Sequence, residues 1–307
     1  MIEVAVMIEG QDGLSWPLWR RVAEVAEGSG FAGLYRSDHF VGPDGPYKDA
    51  LELWTSLTWL ADNTERIEFG PLVSPVSFRH PVITAWQAGA VDSLSGGRLR
   101  LGLGAGWQRR EHEAFGFDLL GTERRFARFA EGLEVITALL RSGGPASFSG
   151  DFYRLDGASI SPRGASPSGP PVVIGGNGER RTLPLVARYA DEWNAVFIGA
   201  ERFRELSERL DALLEESGRE PRSVRRTLMT RAVYGRDERE VERLLGDRER
   251  GELQADGLLV GTAEEILAGL RDLEAAGVER VMLQWLDTDD LERLEDLGRE
   301  ILPELGA

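Results

Sequence analysis

Two apolar periodicities alternate along the whole chain, and this alternation constrains the fold more than any other feature of the sequence. Short runs that repeat every second residue, or that are apolar throughout, read as strands, whereas stripes at i, i+3, i+4 and i+7 read as helices. The first unit is a strand from Glu3 to Met7 and a helix through Trp19, Val22, Ala23 and Ala26. Ser15 is placed to cap that helix and Gly28-Ser29-Gly30 to stop it. Further strands are predicted at Phe31 to Arg36, Arg66 to Ser74, Arg98 to Leu103, Val172 to Ile174, Glu192 to Phe197, Leu228 to Tyr234 and Val278 to Trp285. Helical stripes separate them: Ala50, Leu53, Trp54, Leu57 and Ala61; then Ile83, Trp86, Ala90 and Leu94; then Phe126, Phe129, Leu133, Ile136 and Leu140. Later stripes run through Leu183, Val186 and Ala190, through Phe203, Leu206 and Leu210, and through Leu294, Leu297 and Ile301. Thr262-x-x-Glu265 reads as a capping box before a helix through Leu267 and Leu270.

Strand–helix alternation implies parallel strands joined by right-handed crossovers. Eight such units in 307 residues predict an α/β fold, a closed (β/α)8 TIM barrel with insertions, as one domain over residues 1–307. The rival is an open doubly wound sheet, but no G-x-G-x-x-G follows the first strand. Two stretches break the rhythm. Residues 142–169 are rich in Gly, Ser and Pro and read as an insertion after the fourth helix, with SFSGDFYRL as a hairpin turning at Ser149-Gly150-Asp151. Residues 235–256 are dense in charge and predict a charged helix and a mobile loop.

Composition removes several classes of function. There are 36 basic and 52 acidic residues, a formal net charge of −16, which argues against nucleic acid and anionic membranes as partners. No cysteine is present, so disulfides, thiolate metal sites and cysteine nucleophiles are excluded. Lys48 is the single lysine, so a lysine-based mechanism would rest on it alone. No run of 18 apolar residues and no leader-like N-terminus is seen, so a cytoplasmic protein is expected. A small-molecule substrate is the expected partner, and homodimerisation stays open.

In a barrel the active site lies at the C-terminal ends of the strands and in the loops that follow. The second strand ends in Ser37-Asp38-His39-Phe40, which places His39 in the mouth, either as a proton-transfer group or simply holding backbone. The third ends in Gly70-Pro71-Leu72-Val73-Ser74-Pro75; two prolines so close predict either a strand terminator or a bulge that presents backbone to a flat ligand. The fourth ends in Gly102-Leu103-Gly104-Ala105-Gly106-Trp107, alternating glycines that would let a ligand approach the backbone. Arg109, Arg110, Glu111 and His112 then form either a polar wall or a solvated helix start. The fifth ends in Gly175-Gly176-Asn177-Gly178 directly before a helix, a phosphate cradle that needs no lysine or else a tight turn. His39, His80 and His112 all follow predicted strands, so a metal-dependent hydrolase is a distant alternative; His80, before Pro81, has capping as its ordinary role.

Taken together, SDHF (37–40), GPLVSPVSFRHP (70–81), DSLSGGRLRLGLGAGWQRREHEAFG (92–116), PPVVIGGNGERRTLPLVARYADEWN (170–194) and VGTAEEILAGLRDLEAAGVERVMLQ (260–284) resemble the bacterial luciferase-like superfamily of flavin-type oxidoreductases. The branch they look most like uses the deazaflavin coenzyme F420. The resemblance implies a (β/α)8 barrel that transfers hydride between F420 and a small organic substrate; the alternative within the family is an FMN-dependent monooxygenase. It also implies residue roles. His39 matches a histidine beside the reactive carbon of the ring, with Asp38 next to it among the cofactor contacts. Pro71 and Leu72 fall where many members have a non-proline cis peptide behind the ring. Gly104, Ala105, Gly106 and Trp107 match the loop along the ring, and Gly175, Gly176, Asn177 and Gly178 match the turn that receives the phosphate. On our own reading of the strand tips, Trp107 and Trp193 wall the substrate pocket, with core packing as the alternative role of Trp193. Trp107 stands where sugar-phosphate dehydrogenases of this branch carry a catalytic glutamate, so that substrate class and its acid/base pair are not carried over. If that gap removed the chemistry altogether, a non-catalytic cofactor-binding protein would be the reading.

Overall fold

A computed structural model describes residues 1–306. Eight parallel strands form a barrel: β1 (Glu3–Ile8), β2 (Gly33–Arg36), β3 in two pieces (Glu68–Pro71 and Ser74–Pro75), β4 (Leu101–Gly104), β5 (Val172–Gly175), β6 (Glu192–Val196), β7 (Arg225–Tyr234) and β8 (Arg280–Gln284). β1 sits between β2 and β8, and the sheet continues through β7, β6, β5 and β4. The ring closes at β3. Its first piece pairs with β2 and its second with β4, and Phe69 bridges to Leu99 between them. A short strand not expected from the sequence, Leu259–Gly261, runs parallel to the upper half of β7.

The barrel interior is layered, because residues two apart on a strand share a face. The bottom layer is charged: Glu3, Glu68, Arg100, Glu192 and Arg280. Above it lies an apolar layer of Ala5, Met7, Tyr35, Leu72, Val173, Met229 and Met282. Continuing the same columns upward brings Glu9, Arg231 and Gln284 to the mouth. The larger core lies outside the barrel, between strands and helices.

Local signals placed several helix ends correctly. Ser15 caps Trp16–Gly28 through its side chain, and Thr262 with Glu265 forms the capping box of Ala263–Ala275. The 142–169 stretch carries the hairpin, Ala146–Ser149 against Arg154–Ala158. Glu131 anchors its tip by accepting N–H bonds from Asp151 and Phe152 at 2.8 and 2.9 Å. Within 235–256, the expected loop is instead a second helix: Glu238–Leu245 is followed by Arg250–Ala255. Val241 and Leu245 pack with Val233 and Val260, and this apolar anchor orders a charge-rich segment.

One helix is rotated relative to the expectation. The stripe Ile83, Trp86, Ala90 and Leu94 on Pro81–Ser95 faces outward, with Ile83, Trp86 and Leu94 each about half exposed. The inner face is made of small residues, Thr84, Ala85, Ala88 and Gly89, with Val91 and Asp92. The reason is close backbone approach: a Cβ on Gly89 would meet the Pro162 carbonyl oxygen at 2.5 Å, and Asp92 accepts the Ala165 N–H at 2.8 Å. Among the described residues, no helix is long and apolar enough to cross a membrane.

Candidate active site

The loops at the C-terminal ends of the strands enclose a cavity of about 570 Å³. Its floor is the top of the apolar barrel layer, Met7, Leu72 and Met229. Val73, Gly104 to Trp107, and Gly175–Gly176 form its walls.

His39 stands at the rim. Its Nδ1 lies 2.8 Å from Glu111 Oε1, and the other oxygen of Glu111 accepts the Phe40 N–H at 3.1 Å. The Glu111 carboxylate is fully buried. A buried carboxylate is acceptor-only, so Nδ1 carries the proton and Nε2 is left for chemistry; Nε2 has no partner among the described residues. Burial works against the charged imidazole, but the hydrogen bond and charge of Glu111, aided by Glu9 and Asp38, together outweigh it and hold His39 above its ordinary value. Glu111 belongs to the first turn of Arg109–Phe115. In the sequence it looked like part of a polar wall or a solvated helix start; the fold brings it against a histidine 72 residues earlier. Trp107 sits edge-on to His39, ring centroids 5.5 Å apart, and is 62% exposed.

Asp38 does not line the cavity. It is buried behind the rim, ion-paired with Arg79 and bonded by Ser74 Oγ at 2.7 Å. Pro71 also lies outside, because it remains within β3 opposite Arg36, and the next N–H, that of Leu72, donates to Arg36 O at 2.8 Å. The cis bond is therefore Leu72–Val73, one residue beyond the Pro71–Leu72 position expected. The bulge it belongs to explains two glycines differently from the sequence reading. A Cβ on Gly104 would meet Val73 Cγ2 at 2.5 Å, and one on Gly102 would collide with the Pro71 carbonyl. These glycines make room for the bulge, and Leu72 and Val73 line the cavity beside Gly104.

The glycine turn after β5 is held on three sides. Gly176 N–H donates to Asn194 O at 2.9 Å, so it is not free for a ligand. Asn177 clasps Val196 with both ends of its amide, at 2.7 and 2.9 Å. Trp193 is not a pocket wall: its indole is buried, stacks on Phe203 and donates to Gly176 O at 2.9 Å. Its strand register turns it outward from the barrel, into the helix layer. Gly178 O accepts from Thr182 and Leu183, and the N–H groups of Asn177 to Arg181 have no partner among the described residues. The free donors thus begin one residue later than the sequence suggested, ahead of Thr182–Tyr189. Arg125, which no motif flagged, lines the same end of the cavity with Gly176 and Thr182, and its buried Nε is unpartnered.

The remaining histidines are engaged elsewhere. His80 caps Pro81–Ser95 by accepting the Val82 N–H, and His112 is buried between Gln108 O and Ser77 Oγ at 2.6 and 2.8 Å. No group of three metal-binding side chains exists among the described residues, so the hydrolase reading loses its ligand set.

Comparison with known proteins identifies the family. The family model for luciferase-like monooxygenases matches residues 9–255. Over 225 residues the chain is 32% identical to the F420-dependent glucose-6-phosphate dehydrogenase of Intrasporangium calvum, covering 69% of this chain and 64% of that protein. Over 219 residues it is 29% identical to the pyrimidine monooxygenase RutA of Allorhizobium ampelinum, covering 67% of this chain and 57% of that one. The chain thus spans less than two thirds of the length of either relative. An F420-dependent secondary alcohol dehydrogenase in complex with an F420-acetone adduct superposes with a TM-score of 0.83 at 18% identity, over 98% of both chains. The monooxygenase RslO1 from Streptomyces bottropensis gives 0.81 at 19%, over the full length of both; at such identities these two carry the fold alone. The chain belongs to the luciferase-like monooxygenase family.

Proposed function

We propose that the cavity binds the deazaflavin coenzyme F420 and that the enzyme transfers hydride between it and a small organic substrate. The observation that carries this reading is the His39–Glu111 pair at the rim of an apolar-floored cavity that Arg125 and Gly176 also line, beside a turn whose N–H groups from Asn177 to Arg181 are free. A cavity of about 570 Å³ is of the size that small-molecule sites have. The residues fit such a group: Leu72, Val73 and Met229 suit an apolar ring, and the donors of Asn177 to Arg181, with Arg125, suit a phosphate. When bound, the deazaflavin supplies a two-electron hydride donor or acceptor. His39 Nε2 holds or moves the substrate proton, Glu111 fixes the tautomer and supports the charged form, and Trp107 covers the opening. Relatives named as F420-dependent support the cofactor.

Titration with F420 and with FMN tests the reading. Tighter binding of F420 is expected; preferential binding of FMN, with oxygen consumption, would replace it by an FMN monooxygenase, which relatives named as monooxygenases would fit. Arg125→Gln should weaken cofactor binding by roughly tenfold or more, the worth of a hydrogen bond to a charged group. An unchanged dissociation constant would move the phosphate away from this end of the cavity.

A homodimer belongs to the same proposal. The outward stripe Ile83, Trp86, Ala90 and Leu94 carries no charge, and Asp92, the one acidic residue of that helix, is buried. Two copies at −16 each repel except across an uncharged face, and a two-fold pairing brings this face onto itself. Trp86→Glu should yield monomers by light scattering from a dimeric parent, and a monomeric parent would refute the pairing.

A further inference from the structure

We propose that the barrel mouth contains an anion-binding pocket, built on Arg231 and Arg248, that takes a carboxylate or phosphate group of the molecule bound beside His39. This rests on reading the His39 cavity as a cofactor and substrate site.

Arg231 follows Thr227 and Met229 on the inward column of β7, so it emerges at the mouth. Its Nε donates to Gln284 Oε1 at 3.4 Å, and it makes no ion pair with any carboxylate among the described residues. Arg248 spends its donors on backbone alone, on Leu245 O at 3.1 Å and Leu244 O at 2.6 Å. Both line a cavity of about 290 Å³ with Tyr234, Trp285 and Arg293. Arg293 is buried and paired with Asp287 and, through Nε at 3.9 Å, with Asp290. Asp287 is the one carboxylate lining this cavity, against three guanidiniums.

That leaves two like charges without an ion pair among the described residues, half-buried Arg231 and exposed Arg248, in a strongly acidic chain. Burial, and then the Arg248 charge, work against the Arg231 cation, with Glu9 offsetting them in part, and the guanidinium is held below its ordinary value. Arg231 is half-buried and loses hydration, the exposed Arg248 beside it repels it, and a bound anion offsets both penalties at Arg231. A guanidinium fork matches carboxylate or phosphate with two parallel bonds. The pocket also adjoins the chemistry. Arg231 and Leu286 line it and likewise line a cavity of about 460 Å³ that contains His39, Glu9 and Trp107. The anionic group can belong to the substrate or to the acidic tail of the cofactor.

The full-length protein, with and without R231Q/R248Q, is titrated by tryptophan fluorescence with succinate and with inorganic phosphate. The titrations are made free, with F420 bound, and with the tail-less deazaflavin core bound; near-UV circular dichroism checks that the variant folds. A substrate site predicts probe binding with F420 in place, weakened at least tenfold in the variant, and equal F420 affinity in both proteins. A tail site predicts probe binding only without F420 or with the core, and F420 affinity at least tenfold weaker in the variant. Equal probe affinities and equal F420 affinities in parent and variant overturn the proposal. If the parent binds neither F420 nor FMN, the cofactor reading fails, and the probe titration of the free protein still decides whether the arginine pocket exists.

Discussion

His39→Ala is expected to lower turnover by ~100-fold or more, the usual contribution of a positioned general acid or base, while the cofactor dissociation constant changes little. The expectation follows from one nitrogen: Nδ1 is committed to Glu111 and only Nε2 is available to move a proton. Turnover within a few-fold of the parent would reduce His39 to a structural residue. The pH profile separates the pair's two members. In the parent, the ionisation governing kcat/KM should lie above the ordinary imidazole value of 6.5, because Glu111 supports the cation. In Glu111→Gln the hydrogen bond can persist but the charge is gone, burial then weighs more, and the ionisation should move down. The same coupling has a stability sign. A raised folded-state value contributes stability that is fully present below pH 6.5 and is lost as pH rises through the raised value. A profile identical in parent and Glu111→Gln would show that the carboxylate only positions the ring.

Arg280→Met should give the largest loss of stability. Arg280 is buried at the bottom of the barrel. It donates to Tyr35 OH at 2.6 Å, and pairs with Glu3 and with Glu68 Oε2, the latter at 2.6 Å. Removing it leaves those carboxylates with Glu192 and too few cations. Breaking a buried ionic cluster from one side costs ~3–5 kcal/mol, on the order of 10 °C in melting temperature for a domain this large. Acid supplies an internal check. Burial opposes the ionised form of Glu68, but the hydrogen bond from Arg100 and the charges of Arg280 and Arg100 outweigh it and hold the carboxyl down at about 2, from 4.5. A depressed value contributes stability that is present above pH 4.5 and disappears as pH falls through about 2, amounting to about 3 kcal/mol at neutrality. The parent's melting temperature should therefore fall between pH 4.5 and 2, and its advantage over Arg280→Met should shrink in the same interval. A variant melting within roughly 2 °C of the parent at pH 7 would sink the claim that this cluster matters to stability.

The charged barrel floor was legible in part. Glu3, Glu68, Arg100, Glu192 and Arg280 all sit at or beside strand starts, four of them two residues below an apolar or small position (Ala5, Gly70, Gly102 and Met282) and Glu192 two below Asn194. The period-two pattern places them inside, but only ring closure tells which cation meets which carboxylate. Among site residues, His39, Leu72, the Gly104–Trp107 loop and Gly175–Gly176 could be read from strand tips because a barrel puts every such tip in one mouth. Glu111 and Arg125 could not, since each lies on a helix whose pattern is also that of an ordinary solvated face.

What the sequence alone determined are the features governed by neighbours along the chain. Strand and helix type follow from apolar period, the helix starts at Ser15 and Thr262 follow from side chains that bond N–H groups two or three residues on, and the eight-unit count follows from both. Tertiary structure decided whatever depends on residues far apart in sequence. It set which face of Pro81–Ser95 is buried, because contact with the Pro162 backbone requires the small face and overrides the greasier stripe. It filled the space over Gly102 and Gly104 with the β3 bulge, turned Trp193 into the support behind the glycine turn, and delivered Glu111 to His39. Each of these is a close approach between segments dozens of residues apart, and a linear pattern records the small or polar residue that permits it but not the partner that arrives.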